Sequence, residues 1–122
     1  MKKIIKCKDT EFTIYVEDTD FQGVVYHANY LKYFERSRSE FLFDSGISQR
    51  DLRDENSAFV IKSIKINFIS AAQLGDQITV QSNVEKKSNA RMIFYQKIVD
   101  KISGNEFVNG QVEVCYINLL TK

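Results

Sequence analysis

Two carboxylates stand close together in a short polar segment, at Asp18 and Asp20. The segment ends at Gly23 and consists of residue types that bond their own backbone or tolerate a positive φ, so it is expected to form a tight turn. A helical pattern begins near His27. A carboxylate can attack a carbonyl carbon or activate water, and the free N–H groups of a helix's first turn stabilise a carbonyl oxygen that becomes negative. Acyl transfer is the reaction class that uses both groups.

The other reactive side chains exclude several kinds of site. The chain has one histidine, His27, so three-histidine zinc sites and HExxH metalloprotease motifs are impossible. Its two cysteines, Cys7 and Cys115, lie at opposite ends and are expected to be reduced and partly buried. The 5 glycines are too scattered for a GxGxxG or P-loop motif. We therefore expect neither a metal nor a cofactor.

Composition and charge are those of an ordinary globular protein. Hydrophobic residues make up 43% of the chain and charged residues 27%, which excludes disorder. The formal net charge of +1 is too even to indicate a polyanion partner, so nucleic acid is not expected. No stretch has the length and hydrophobicity of a membrane span or a signal peptide. We expect a cytoplasmic protein with one domain over residues 1–122.

A strand and one long helix are expected to position the reactive segment. Alternation from Phe12 to Val16 has the period of two that is typical of a half-buried strand. Over residues 27–45 the period becomes 3.6, and Gly46 is a natural stop. Arg38 falls within the apolar stripe of this helix, and a side chain that extends to water is favoured over a buried carboxylate partner. The stripe contains Tyr30, Leu31, Phe34, Phe41 and Leu42.

Four further strand-like runs follow a polar stretch at residues 49–57. They span residues 58–69, 76–86, 91–101 and 106–119, with hairpin signals at 88–89 and 103–105. Because these connections are too short for parallel crossovers, the strands must be antiparallel. The predicted fold is α+β, with a five-stranded antiparallel sheet wrapped around one long helix. Since one helix covers only one face of a sheet, the other face or an edge is expected to pair with another copy, which predicts a homo-oligomer.

A long, specific motif runs from the turn into the helix: residues 18–31 read DTDFQGVVYHANYL and residues 34–38 read FERSR. It closely resembles the hot-dog-fold acyl-CoA thioesterases of the 4-hydroxybenzoyl-CoA thioesterase family, and most of all the branch associated with the Tol-Pal system. The resemblance covers most of the chain and weakens beyond Asp76. It implies the hot-dog fold, dimers that commonly pair into tetramers, and hydrolysis of a CoA thioester to a free acid and CoA.

The resemblance also implies roles for single residues. The family's essential aspartate corresponds to Asp20, as nucleophile or general base. His27 stands where the family has a residue whose backbone N–H polarises the thioester carbonyl, and its imidazole is also implied to take part in this branch. Where the family often has Pro-Ala, this chain has alanines at 71–72, which affects only the local bend. The implied substrate-binding residues are Gly23, Val24, Val25, Tyr26, Asn29 and Tyr30.

An acyl-CoA substrate carries phosphates, which require basic side chains. Lys86, Lys87 and Arg91 bracket one predicted hairpin and are the candidates, although a solvated hairpin tip explains them equally well. The acyl carrier could be CoA or acyl carrier protein. For Asp18, a turn-capping role is favoured over catalysis, and Glu35 is expected to pair with a neighbouring arginine.

Two other functions stay open. A hot-dog dehydratase acting on hydroxyacyl thioesters would pair His27 with Glu35 or another acid across a dimer. Such an enzyme leaves the motif at residues 18–31 unexplained. A non-catalytic protein that binds acyl-CoA or acyl carrier protein is the third interpretation.

Overall fold

The fold is known from a computed structural model that describes residues 3–121. It is α+β, with one long helix packed against an antiparallel sheet. The prediction of a single domain over residues 1–122 includes positions 1, 2 and 122, which lie outside the described residues, and it stays a prediction. Along the chain the elements are β1 Ile4–Lys6, β2 Thr10–Thr13, a 3₁₀ helix Val16–Asp18, α1 Asn29–Asp44, α2 Gln49–Asp54, β3 Ser57–Phe68, β4 Gln77–Ser88, β5 Arg91–Asp100 and β6 Glu106–Asn118.

The sheet has six strands where the sequence predicts five. Its order is β1-β4-β5-β6-β3, and β2 also pairs with β4. Because β1 lies opposite residues 83–85 of β4 and β2 lies opposite residues 77–80, the two short strands share one edge position. The first of them, β1, has only 3 residues, all exposed, and therefore shows no alternation of polar and apolar residues.

The structure differs from the sequence prediction before α1, and it contains a short helix after α1 that was not predicted. The first predicted strand ends at Thr13 instead of continuing to Val16, because Asp18 turns the chain into a 3₁₀ helix by accepting a hydrogen bond from the Tyr15 N–H at 2.9 Å. The polar stretch at 49–57 contains α2, whose start is capped by Ser48 through a 3.2 Å bond to the Asp51 N–H.

The long helix, predicted over residues 27–45, spans Asn29–Asp44. Its predicted apolar stripe faces the sheet: Tyr30, Phe34 and Leu42 are buried, and Leu31 and Phe41 pack against the same core. Gly110 on β6 permits this approach, because a Cβ there would lie 3.2 Å from the Phe34 ring and 2.6 Å from a backbone oxygen. Gly110 therefore leaves room for the Phe34 ring between the helix and the sheet.

Arg38 neither extends to water nor meets a carboxylate, so both interpretations offered for it are wrong. Its side chain is buried, and Nη1 donates to Oε1 of Gln96 on β5 at 3.0 Å. Gln96 in turn donates from Nε2 to the Phe34 carbonyl oxygen at 3.1 Å and to the Ser82 hydroxyl at 3.0 Å. A polar network thus joins the middle of α1 to two strands within an otherwise apolar core.

Candidate active site

The segment around Asp20 forms a closed turn between the 3₁₀ helix and α1. The Asp20 N–H donates to the Val24 carbonyl at 2.9 Å, and the Gly23 N–H donates to the Asp20 carbonyl at 3.0 Å. The Asp20 carboxylate accepts a hydrogen bond from the Gln22 N–H at 2.8 Å. Gly23 has a φ of 80°, a conformation that glycine adopts without strain. The tight turn is therefore present, and it holds the half-buried Asp20 side chain in place.

Hydrogen bonds tie this turn to the start of α1. The backbone oxygen of Asp18 accepts from the Tyr26 N–H at 3.1 Å and from Nδ2 of Asn29 at 2.8 Å. Thr19 and Val25, on the two arms of the turn, form an antiparallel bridge. Because these bonds lie on both sides of the turn, Asp20 is kept beside the first residues of the helix.

The start of α1 is uncapped. The residue before Asn29 is Ala28, and no side chain caps the helix there. Within residues 3–121, the backbone N–H groups of His27 and Ala28 have no hydrogen-bond acceptor. Such N–H groups at the positive end of a helix dipole favour a negatively charged oxygen. The arrangement can therefore polarise a carbonyl group that reaches the helix start.

Aromatic rings surround His27, which is exposed. Its ring centroid lies 4.5 Å from that of Tyr26 and 6.1 Å from that of Phe68, at the end of β3. Tyr30 also contacts Phe68, with a centroid distance of 6.0 Å. Phe68 is not among the predicted substrate-binding residues, although an aromatic residue at the end of a strand was a usable signal. Tyr26, Tyr30 and Phe68 therefore form an aromatic surface next to His27, at the start of α1.

Tyr30 braces the loop that follows β3. Its buried hydroxyl accepts a hydrogen bond from the Ala72 N–H at 3.0 Å, and the Ala72 carbonyl accepts from the Val25 N–H at 2.8 Å. Burial, together with the charge of Asp76, raises the pKa of the Tyr30 phenol above its usual value. The neutral Tyr30 hydroxyl is therefore hydrogen-bonded within the protein. Tyr30 of α1 and Val25 of the turn are both bonded to the buried Ala72.

Asp18 has a different environment from Asp20. It is buried, with Oδ1 lying 2.7 Å from Nζ of Lys32 and Oδ2 bonded to the Tyr15 N–H. Burial alone would raise the pKa of this carboxyl, but the hydrogen bonds from Lys32 and Tyr15 outweigh it and hold the pKa below its usual range. Asp18 stabilises a turn, as the favoured interpretation predicted. Its carboxylate accepts from the N–H of Tyr15, three residues earlier, instead of forming an Asx turn with the residues that follow.

The three basic candidates for CoA lie away from this turn. Lys87 pairs with Glu85 at 3.1 Å, and Arg91 pairs with Glu113. Together with Lys86, they lie near the β4–β5 turn, at the last residues of β4. The first residue of β4 follows the loop whose Ala72 carbonyl accepts a hydrogen bond from the Val25 N–H. Nine residues of strand, roughly 30 Å, separate Lys86 from that first residue. Within one chain, these side chains therefore do not lie beside the thioester position proposed at Asp20.

Glu35 is bonded to Ser39 Oγ at 2.9 Å and not to an arginine, so the expected pairing is wrong. Within residues 3–121, no group of three or more His, Cys, Asp or Glu side chains could hold a metal ion. In the same part of the chain, no helix is long and apolar enough to cross a membrane.

A family model described as the thioesterase-like superfamily matches residues 14–122, which is most of the chain. The chain belongs to this superfamily. The match confirms the resemblance that the motif carried. The fold of this superfamily member also agrees with solved structures: a probable thioesterase from Bartonella henselae is 37% identical, with a TM-score of 0.86 and 94% of each chain covered. The hot-dog fold is thereby confirmed.

Two relatives in the thioesterase-like superfamily share the YbgC name. The acyl-CoA thioesterase YbgC of Helicobacter pylori is 42% identical over 85 residues, which cover 70% of this chain and 62% of the relative. The protein of the same name from Haemophilus influenzae is 41% identical over 87 residues, covering 70% of this chain and 64% of the relative. The chain thus spans less than two thirds of the length of these relatives.

Proposed function

We propose that this protein is an acyl-CoA thioesterase that hydrolyses a CoA thioester to a free carboxylic acid and CoA. The carrying observation is the hydrogen-bonded connection between the Asp20 turn and the uncapped start of α1. It supports a site in which a carboxylate and an electropositive helix end act on the same thioester. The names and identities of the YbgC relatives support the same activity.

In the proposed reaction, the thioester carbonyl oxygen lies at the N–H groups of His27 and Ala28. These groups stabilise the negative charge that develops on the oxygen. Asp20 acts in one of two ways. It attacks the carbonyl carbon, forming a mixed anhydride and releasing the CoA thiolate, and water then cleaves the anhydride. Alternatively, it removes a proton from the water that attacks the carbon directly.

The other proposed site residues fall into two groups. Gly23, Val24 and Tyr26 are at least partly accessible and would contact the substrate. Val25 and Tyr30 are buried, and the Asn29 amide binds the Asp18 carbonyl, so these three would brace the site from behind. The His27 imidazole is exposed and would contact the substrate directly.

A free-thiol release assay tests this function. Short, long and aromatic acyl-CoAs are compared with the corresponding acyl carrier protein thioesters, and release of thiol is expected from at least one series. A single turnover in ¹⁸O-labelled water separates the two routes, because only the anhydride route puts label into the Asp20 carboxylate. Water loss from a hydroxyacyl thioester without thiol release would establish a dehydratase instead, and tight binding without turnover would establish a binding protein.

We also propose that the enzyme is a homo-oligomer, a dimer that can pair into a tetramer, formed along β3. Among the strands of residues 3–121, this one is at the sheet edge and pairs with β6 alone, so one side of its backbone is open there. Ile61, Ile64 and Phe68 on it are exposed. Open apolar edge strands pair with other chains unless they are protected. Since Phe68 contacts His27, such pairing would bring a second chain to the candidate site.

A cytoplasmic location stays a prediction.

Replacing Ile64 by lysine is expected to weaken this dimer at least tenfold, about 1.4 kcal/mol, because a charge would enter the apolar edge. Sedimentation velocity over a concentration series measures the dissociation constant, and circular dichroism checks the fold. Ile102→Lys is the matched control, since Ile102 is 88% exposed and belongs to the β5–β6 turn and not to the β3 edge. A wild-type protein that is monomeric and fully active would refute the proposed dimer.

A further inference from the structure

A small cavity lies beside the second half of α1, between this helix and the strands β3, β5 and β6. Its volume is about 140 Å³. Most of its wall is apolar, formed by Leu42, Phe59, Ile61, Phe94 and Val114. Four polar residues also line it: Glu35, Arg38, Ser39 and Gln49. Of these only Arg38 is buried, with 7% of its surface exposed. A buried cationic side chain therefore lies beside the apolar part of the pocket.

The charge of Arg38 is not compensated within residues 3–121. A guanidinium has five N–H donors, and the contact identified for this one is Nη1 with the neutral amide of Gln96. No carboxylate lies within ion-pair distance. Glu35, at the cavity, is exposed and bonded to Ser39 instead. Burial lowers the pKa of the arginine, and the charge of Glu35 only partly opposes this effect.

A buried cation is costly unless an anion pairs with it. The planar fork of a guanidinium matches a carboxylate through two parallel N–H···O bonds. An apolar cavity of about 150 Å³ accommodates a molecule as large as benzene, so the space here suits a carboxylate with a short apolar tail. We propose that Arg38 and this cavity form a binding site for a small aliphatic carboxylate.

In this site the carboxylate binds the unused N–H groups of Arg38, and the tail packs between Leu42 and Phe94. The site is independent of the thioester position. Arg38 follows Asn29 by nine residues, which is roughly 13 Å along the helix axis. The inference therefore does not depend on the proposed hydrolysis, and binding can be measured with no acyl-CoA present.

Isothermal titration with butyrate tests the site, with butyramide as a neutral ligand of nearly the same shape. Butyrate is expected to bind at least ten times more tightly than butyramide to the unchanged protein. In Arg38→Gln, which keeps a side-chain donor for Gln96, butyrate affinity is expected to fall at least tenfold. Arg50→Gln is the matched control, because it removes the same charge from an exposed position in α2 and should leave the affinity unchanged.

Equal affinities for butyrate and butyramide, or no butyrate binding at all, would overturn the proposal. Unchanged affinity in a folded Arg38→Gln would do the same, since the carboxylate would then bind elsewhere. The comparison of the two ligands uses the unchanged protein, so the test is decisive even if Arg38→Gln does not fold. Failure here would leave thiol release by the Asp20 site unaffected, which separates this inference from the proposed function.

Discussion

Asp20→Asn is expected to release thiol from acyl-CoA roughly 10² to 10⁴ times more slowly than the unchanged protein, which is the scale for loss of a positioned acid-base group. The reason is that an amide can neither attack the carbonyl carbon nor accept a proton from water. The turn should persist, because Oδ1 of an asparagine can still accept the hydrogen bond from the Gln22 N–H. Steady-state thiol release gives kcat and KM, and circular dichroism confirms that the variant is folded.

Glu17→Gln is the matched control for this experiment. Glu17 is an exposed acid in the adjacent 3₁₀ helix, so its loss changes the charge by the same amount near the turn. It is expected to retain full activity. The loss in Asp20→Asn should fall mainly on kcat, since the carboxylate is needed in the transition state. Undiminished kcat in a folded Asp20→Asn would remove Asp20 from the mechanism and leave the helix start without a catalytic partner.

The parts of this site that follow from local chemistry could be predicted from the sequence. Turn-forming residues before Gly23 predicted a closed turn, and the hydrogen bonds between Asp20, Gly23 and Val24 form it. The period of 3.6 located α1 to within two residues at its start. Both signals are contained in one continuous segment of the chain, where turn-forming residue types and hydrophobic periodicity indicate the structure directly.

The contacts that brace the site could not be predicted in this way. Lys32 reaches Asp18 across 14 positions, and Tyr30 reaches Ala72 across 42. The period of 3.6 separates an apolar face of the helix from a polar one, but it does not say which loop lies over the polar face. Arg38 shows the same limit, because its partner Gln96 is 58 positions away on a strand whose register no local pattern specifies.

Lys86, Lys87 and Arg91 lie near the β4–β5 turn, and the sequence did not predict how far this turn lies from Asp20. The hairpin itself was predicted, and Ser88 pairs with Arg91 across it. The distance between this hairpin and Asp20 depends on the direction and length of β4. This strand separates Lys86 from the loop that is bonded to the Asp20 turn. A role for these residues with the CoA phosphates stays a prediction.

Asp18→Asn is expected to lower the free energy of unfolding at pH 7 by roughly 1.5 to 3 kcal/mol, the worth of hydrogen bonds to a charged group. The buried carboxylate bonds Lys32 and the Tyr15 N–H, and an amide cannot replace the charge in either contact. Urea denaturation followed by circular dichroism measures the change. Asp9→Asn is the control, because its 3.2 Å pair with Lys6 is exposed and such pairs contribute little.

The same variant carries a pH signature that a simple packing defect lacks. The folded protein holds the Asp18 pKa below its ordinary value, about 3.9 in an unfolded chain. The unfolded state therefore binds the proton more readily, so the stabilisation is complete above about pH 5 and is lost as the pH falls through the folded pKa. The stability difference between the unchanged protein and Asp18→Asn should shrink over this range. A difference that stays constant down to about pH 2 would show that the Asp18 charge contributes nothing and that only shape matters there.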